Sequence, residues 1–360
     1  MEHNNYHDEL NKQNIRKLRE IMTTLPSFCR QFFRGVENIY GSRTKIAYAY
    51  DLRIFFEYLH QNHSYGKTMD IIDYPLEILD KVKREDIEDY MEYLSLYSKE
   101  KDDMETDITN EERGKSRKLA SLRSFYNYFY RNEMIQTNPA SLVSMPKLHS
   151  KEIIRLEPNE VAQLLDQVEA GTKLTEKQAA YHAKTKIRDL AILTLLLGTG
   201  IRVSELVGLD LTDVDFKNYG ITVTRKGGNQ MVVYFGDEVC DALITYIEGE
   251  RSSMTPVSGH ENALFLSSRN TRMSVRNIEY MVKKYASNVT PGKHITPHKL
   301  RSTYGTSLYR ETGDIYLVAD VLGHADVNTK DVNTTKKHYA AIEEERRRMA
   351  RNAVKLREDN

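Results

Sequence analysis

At 360 residues, 40% of them hydrophobic and 29% charged, the chain is long enough for two domains and apolar enough to give each a core. No apolar run approaches the roughly 18–20 residues of a membrane span, and Leu190–Leu197, the longest, has the length of a buried helix segment. Two distant cysteines, Cys29 and Cys240, cannot supply a disulfide framework or a metal site, and 52 basic against 52 acidic residues exclude a uniformly cationic surface.

A cytoplasmic protein without membrane association is expected, since the polar opening MEHNNYHDELNKQN lacks the apolar core of a signal peptide. Residues 1–150 carry 22 basic and 24 acidic side chains and the remainder 30 and 28. Affinity for a polyanion therefore has to come from a clustered face.

In chain order, residues 1–25 read as a polar extension and 26–148 as a helical domain. Thr44–Leu59 places Ile46, Ala47, Tyr50, Leu52, Ile54, Phe55 and Leu59 near helical spacing, and Arg84–Tyr97 repeats the pattern with Ile87, Tyr90, Met91 and Leu94. The polar, acidic stretch Lys99–Asn110 reads as a loop, and Glu111–Phe129 as the longest helix of this half. From Arg113 to Tyr130 that helix carries Arg113, Lys115, Arg117, Lys118 and Arg123 and no acidic residue. Such a face is either solvated surface or a phosphate-binding stripe.

Gln136–Lys151, with two prolines and many small polar residues, predicts the domain boundary, and 149–340 form the second domain. There, Pro158 to about Val168 predicts a helix, Gly171–Lys186 a polar insert and Ile187–Leu197 a buried helix. Gly220–Phe235 alternates like a hairpin, with Ile221 and Val223 before RKGGNQ and Met231, Val233 and Phe235 after it, and Gly227-Gly228 suits a tight turn. From Ser274 onward the pattern is helical again. The fold class is mainly α with a small antiparallel sheet: an N-terminal helical domain followed by a mixed α+β domain.

Several short motifs carry chemistry. In GTGIRVSEL the glycines allow close backbone approach to a phosphate, and Arg202 opens the following helix; Arg202 could equally pair with Glu205 three residues on. In TPHKLRS, Thr296 and Pro297 suit an N-cap and first helical position, which sets His298 and Arg301 at one helix start, aimed at an anion or paired structurally. Lys226 sits at the hairpin tip, as a proton donor or an exposed turn residue. His324 follows Gly323, where it could also cap a short helix over Asp314–Leu322. Tyr304, Tyr309 and Tyr316 read as packing residues, and Tyr339 lies downstream as a nucleophile.

Arg, Lys, His-x-x-Arg, Gly-His and Tyr in this order, behind a helical domain that carries a basic helix, resemble the tyrosine recombinase (phage integrase) family, and within it the single-protein bacterial Xer recombinases. The motifs LLGTGIRVSEL, VTRKGG, TPHKLRS and VLGH carry the resemblance, which extends from about Thr44 to the end. It implies a core-binding domain up to about residue 148 that clamps DNA, followed by a tyrosine-recombinase catalytic domain. It further implies catalytic roles for Arg202, Lys226, His298, Arg301, His324 and Tyr339. The two arginines would hold the nonbridging phosphate oxygens. Tyr339 would attack to give a 3′-phosphotyrosyl link while His298 takes its proton, Lys226 would protonate the 5′-oxygen, and His324 would donate to the phosphate. Neither metal nor other cofactor is called for. The implied partners are double-stranded DNA at a specific site, three further copies in a homotetramer, and an accessory DNA translocase.

Two departures from the family pattern stand out. Ser302 follows Arg301 where relatives carry histidine. Tyr339 lies fifteen residues after His324, farther than in relatives, and the tandem DVNTK/DVNTT at 326–335 accounts for the surplus. We expect it to bulge in a loop, where insertions are tolerated. The tail, 341–360, reads as an amphipathic helix that the resemblance assigns to docking on a neighbouring protomer. Xer-like chromosome dimer resolution is the expected role, because the first residues are too few for an arm-binding domain. Integration or excision of a mobile element, a type IB topoisomerase and a non-catalytic DNA-binding regulator are the alternatives.

Overall fold

The computed structural model describes residues 6–101, 104–149, 154–225 and 228–323, in two compact units that divide between Lys151 and Glu152. Among the described residues each is built mainly from helices, with one small antiparallel sheet apiece. The fold class is the one the sequence pattern predicts.

The first unit contains α1 (Tyr6–Met22), α2 (Cys29–Gly35), α3 (Ser42–Asn62), α4 (Ile78–Lys81), α5 (Arg84–Tyr93), β1 (Leu96–Lys101), β2 (Met104–Thr109) and α6 (Glu112–Arg131). Helical spacing puts Leu52, Phe55, Phe56 and Leu59 of α3 on one buried stripe, and Leu119, Leu122, Phe125, Tyr126 and Phe129 of α6 on another. Phe32 meets Phe125 edge-on at 5.2 Å, and Phe125 meets Phe129 at 5.1 Å. Such pairs add about 0.5–1.5 kcal/mol each beyond their buried area. Residues 1–25, expected as a polar extension, supply Leu18, Ile21 and Leu25 to this same core.

The expected loop at Lys99–Asn110 is instead the second half of a hairpin, in which Leu96 pairs with Thr109 and Tyr97 with Ile108. One cross-strand pair faces inward and the next one outward. Tyr97 is buried and Ile108 packs on the core, while Ser98 donates outside to Asp107 at 2.8 Å. With so little apolar content and no glycine, composition pointed to loop where pairing made sheet. The helix predicted to Tyr97 accordingly stops at Tyr93.

The second unit contains α7 (Pro158–Ala170), α8 (Glu176–Thr199), α9 (Val203–Gly208), β3 (Val214–Asp215), β4 (Gly220–Thr224), β5 (Gln230–Tyr234), α10 (Asp237–Ile244), α11 (Val275–Val289), α12 (Pro297–Thr312) and α13 (Ile315–Val321). Helix α8 runs through the core and packs against α7, α10 and α12. It begins inside the segment read as a polar insert, because Thr175 and Gln178 close a capping box on its first turn. The three strands lie in order β3-β4-β5, with Ile221 opposite Val233 and Val223 opposite Met231. Tyr309 is buried with Ile315, Val318 and Leu322, and Tyr304 packs on them. Tyr316, expected to pack, is 54% exposed. Both cysteines are buried free thiols, and no helix among the described residues is long and apolar enough to cross a membrane.

Candidate active site

The site grows from the end of α8. Gly200 caps that helix in the left-handed region, at φ +63° and ψ 19°. A β-carbon there would overlap Tyr304 and press on Leu322, so backbone and packing both require glycine. The chain then turns into α9 with Arg202 as its N-cap residue. Buried Glu205 accepts the Arg202 backbone N–H at 2.7 Å and its Nη1 at 2.8 Å. The ion pair anticipated as an ordinary helix contact is thus present, and it leaves Nη2 aimed elsewhere, donating to the Gly323 carbonyl at 3.3 Å.

Arg301 comes to the same place from α12. Thr296 and Pro297 open that helix as expected, although the threonine hydroxyl makes no capping bond. Arg301 is 6% exposed; its Nη1 donates to the Gly200 carbonyl at 2.5 Å and its Nη2 to the Leu322 carbonyl. The two arginines, far apart in sequence, therefore close on adjacent carbonyls at the end of α13. His298, one turn earlier on α12, is exposed. Ser302 donates to the His298 carbonyl at 3.1 Å, a local helix contact.

Asp314 caps α13 by accepting from the Tyr316 and Leu317 N–H groups, and the helix ends in a turn with Gly323 at φ +57°. His324 is the next residue in the chain. Lys226, His324, Tyr339, the DVNTK/DVNTT repeat and the tail lie outside the described residues.

A third guanidinium, overlooked in the sequence, joins the first two. Arg225 Nη1 donates to the Leu322 carbonyl at 2.6 Å and Nη2 to the Val321 carbonyl at 3.1 Å. Burial pulls its pKa below the ordinary arginine value; Glu205 opposes that shift and the neighbouring Arg202 charge adds to it. A signal was available. Ile221 and Val223 are the buried hydrophobic side chains of β4, and continuing the alternation puts Arg225 on the same inward face. Glu205, set aside as a mere ion-pair partner, is the second residue missed.

In the other unit, the five cations of α6 have different surroundings. Arg113 is exposed. Lys115 donates to Ser95 Oγ at 2.5 Å, and Arg117, 48% exposed, pairs with buried Asp51. Arg123 is turned onto the carbonyls of Ala140 and Val143, at 3.1 Å for the first. Lys118 is buried and donates to Asn110 at 2.8 Å, which takes its ammonium off the outer face of the helix.

A separate cleft of about 1030 Å³ lies beside α8 and α11 and shares no lining residue with the arginine cluster. Buried Asp189 organises it. That carboxylate accepts from Arg188 Nη2 at 2.6 Å, Tyr285 Oη at 2.8 Å and Lys284 Nζ at 3.3 Å. Burial first, and then the Asp189 charge, push the Tyr285 phenol well above its ordinary value.

The model of the Phage integrase family matches residues 155–346. The tyrosine recombinase XerC of Caldanaerobacter subterraneus subsp. tengcongensis is 35% identical over 301 residues, covering 80% of this chain and 76% of that protein. XerC of Chlorobaculum tepidum is 31% identical over 303 residues, covering 82% and 85%. In fold, the chain is similar to the XerH site-specific recombinase bound to palindromic difH substrate, with a TM-score of 0.61 at 18% identity over 86% of this chain and 80% of that one. It is also similar to the Tn1549 transposon integrase in complex with circular intermediate DNA, with a TM-score of 0.60 at 20% identity over 87% and 95%. The chain belongs to the phage integrase family of tyrosine recombinases and is a site-specific DNA recombinase.

Proposed function

We propose that this recombinase cuts and rejoins duplex DNA through a 3′-phosphotyrosyl intermediate, with Tyr339 as nucleophile and Arg202 and Arg301 as the phosphate grip. The observation that carries the reading is the convergence of those two forks on the Leu322 and Gly323 carbonyls. Two guanidinium groups brought to one turn supply the paired cationic donors that a phosphate would take, and donors already held in place require little reorganisation as charge develops at phosphorus.

His298, exposed at the α12 N-terminus, takes the phenol proton in this scheme, Lys226 protonates the departing 5′-oxygen, and His324 donates to the phosphate. The bond energy stays in the phosphotyrosine until a partner strand's 5′-hydroxyl reverses the step. Residues 26–148 act as the DNA clamp, with Arg113, Lys115 and Arg117 facing phosphates and Lys118 and Arg123 bracing the helix that carries them. Residues 149–340 form the catalytic domain, and 341–360 dock on a neighbouring copy in a homotetramer. The likeness to XerC proteins supports an Xer-like role, and in this reading that role is chromosome dimer resolution in the cytoplasm, with a DNA translocase as accessory.

The test is covalent capture. Duplexes enriched from a random pool by binding to the full chain are nicked into suicide substrates and incubated with wild type and Tyr339→Phe. An adduct that disappears in the variant supports the proposal. Tight binding without an adduct makes the chain a regulator on this scaffold, and relaxation of supercoils without site preference makes it a type IB topoisomerase.

A further inference from the structure

Arg225 has no role in the scheme above, yet one turn ties it to both arginines of the phosphate grip. Its Nη1 donates to the Leu322 carbonyl at 2.6 Å and its Nη2 to the Val321 carbonyl at 3.1 Å. These carbonyls lie at the end of α13, where the helix's own donors have run out. The Leu322 carbonyl also accepts from Arg301 Nη2, so Arg225 and Arg301 share an acceptor. The next carbonyl, that of Gly323, accepts from Arg202 Nη2 at 3.3 Å. Gly323 stands in the left-handed region at φ +57°, and the Arg225 guanidinium lies so close against it that any β-carbon there would overlap the fork. Charge makes this an unfavourable way to cap a helix. Burial weighs most against a cation at this point; Glu205 and Asp320 oppose that effect and Arg202 adds to it. A neutral donor would satisfy a carbonyl here without burying a charge, whereas one planar fork spans two carbonyls at once.

We infer that Arg225 is a positioning residue of the phosphate grip: its fork fixes the turn at Val321, Leu322 and Gly323, and that turn sets the guanidinium groups of Arg301 and Arg202 where a phosphate meets them. The inference rests on the role proposed for those two arginines. Without the Arg225 fork the turn loses two hydrogen bonds and the group packed on Gly323, and the forks of Arg301 and Arg202 follow their acceptors. Each is still held at its other end, Arg202 by Glu205 at 2.8 Å and Arg301 by the Gly200 carbonyl at 2.5 Å. The forks are therefore displaced rather than released, and the defect is partial. It falls on the charge that develops at the nonbridging oxygens, because stabilising that charge depends on donors fixed in advance.

The experiment compares single-turnover adduct formation on two suicide duplexes, one with an ordinary scissile phosphate and one with a methylphosphonate there. In the second an uncharged methyl group replaces a nonbridging oxygen, so less charge develops and less is asked of the grip. Arg225→Ala should react about 10- to 100-fold more slowly than wild type on the phosphate, the range that a displacement of about 1 Å sets. On the methylphosphonate it should come within about threefold of wild type. Arg225→Lys keeps the charge but offers one ammonium in place of a planar fork, and it should recover only part of the loss. The ratio of the two rates within one variant is unaffected by the fraction of protein folded, so a merely structural role slows both substrates equally. Equal slowing on both substrates, slowing on neither, or wild-type rates in Arg225→Lys overturns the inference. Arg301→Ala separates the two claims. If it too is slowed equally on both substrates, the grip itself fails and the inference falls with it. If it tolerates the methylphosphonate and Arg225→Ala does not, the Arg225 inference alone is overturned.

Discussion

Replacing Glu205 by glutamine tests whether the buried carboxylate orients the phosphate-gripping fork of Arg202. The amide oxygen can still accept the Arg202 backbone N–H, which the carboxylate takes at 2.7 Å. The amide nitrogen then faces Arg202 Nη1, now 2.8 Å from a carboxylate oxygen, as donor against donor. A hydrogen bond to a charged group contributes about 1.5–3 kcal/mol. Because the Arg202 side chain is 36% exposed, water recovers part of this, and a loss of about 1–2 kcal/mol is expected. For a unit of about 200 residues that lowers Tm by about 2–8 °C. Of the two guanidinium bonds described, the one to the Gly323 carbonyl remains, and misplacement of a catalytic group by about 1 Å can cost ~10²-fold in rate. Adduct formation on the suicide duplex should therefore slow about 10- to 100-fold, with DNA binding not weakened, since a negative charge has been removed. Thermal denaturation and single-turnover cleavage read the two effects. A variant that melts and cleaves like wild type would show that Glu205 does not orient Arg202.

Asp189→Asn leaves Arg188 and Lys284 without their shared counter-charge in a buried setting; the second unit should lose about 3–5 kcal/mol in urea unfolding, and a loss under about 1 kcal/mol would contradict the assigned pairing. Glu157 and Glu160 titrate below the ordinary carboxylate range: burial raises both, but Arg310 and Arg155 outweigh it at Glu157 and Lys293 at Glu160. Their folded pKa values lie below the unfolded ones, so the stabilisation is complete above about pH 4.3 and is lost as pH falls through the depressed values. The stability gap between wild type and Glu157→Gln/Glu160→Gln should close in acid, and a gap constant with pH would show that these pairs do not titrate as described. Deleting Asp326–Lys330 should leave cleavage intact, because five residues inserted in a helix would rotate Tyr339 by about 140° whereas a loop absorbs them; abolished adduct formation places the repeat within a helix.

Local pattern was enough for much of this protein. Periodicity of apolar residues marked α3 and α5, an apolar run marked the interior of α8, and alternation around the Gly-Gly pair marked β4 and β5. Where polar residues formed elements, it was not enough. The first half of α8 depends on a capping box at Thr175, and β1–β2 on cross-strand pairing of a charged segment. At the site, residue types along the chain singled out Arg202 and Arg301, but nothing local says that they meet. Arg202 reaches a carbonyl 121 positions away and Arg301 one 101 positions away. That meeting is decided by how α8, α12 and α13 pack. The same holds for Arg225, drawn inward by the sheet face it follows, and for Lys118, turned inward by its helix. Sequence determined which groups are available for the chemistry, because side-chain type and short-range period are local properties. Tertiary packing decided which of them share one oxygen-lined turn, because burial and direction depend on neighbours distant along the chain.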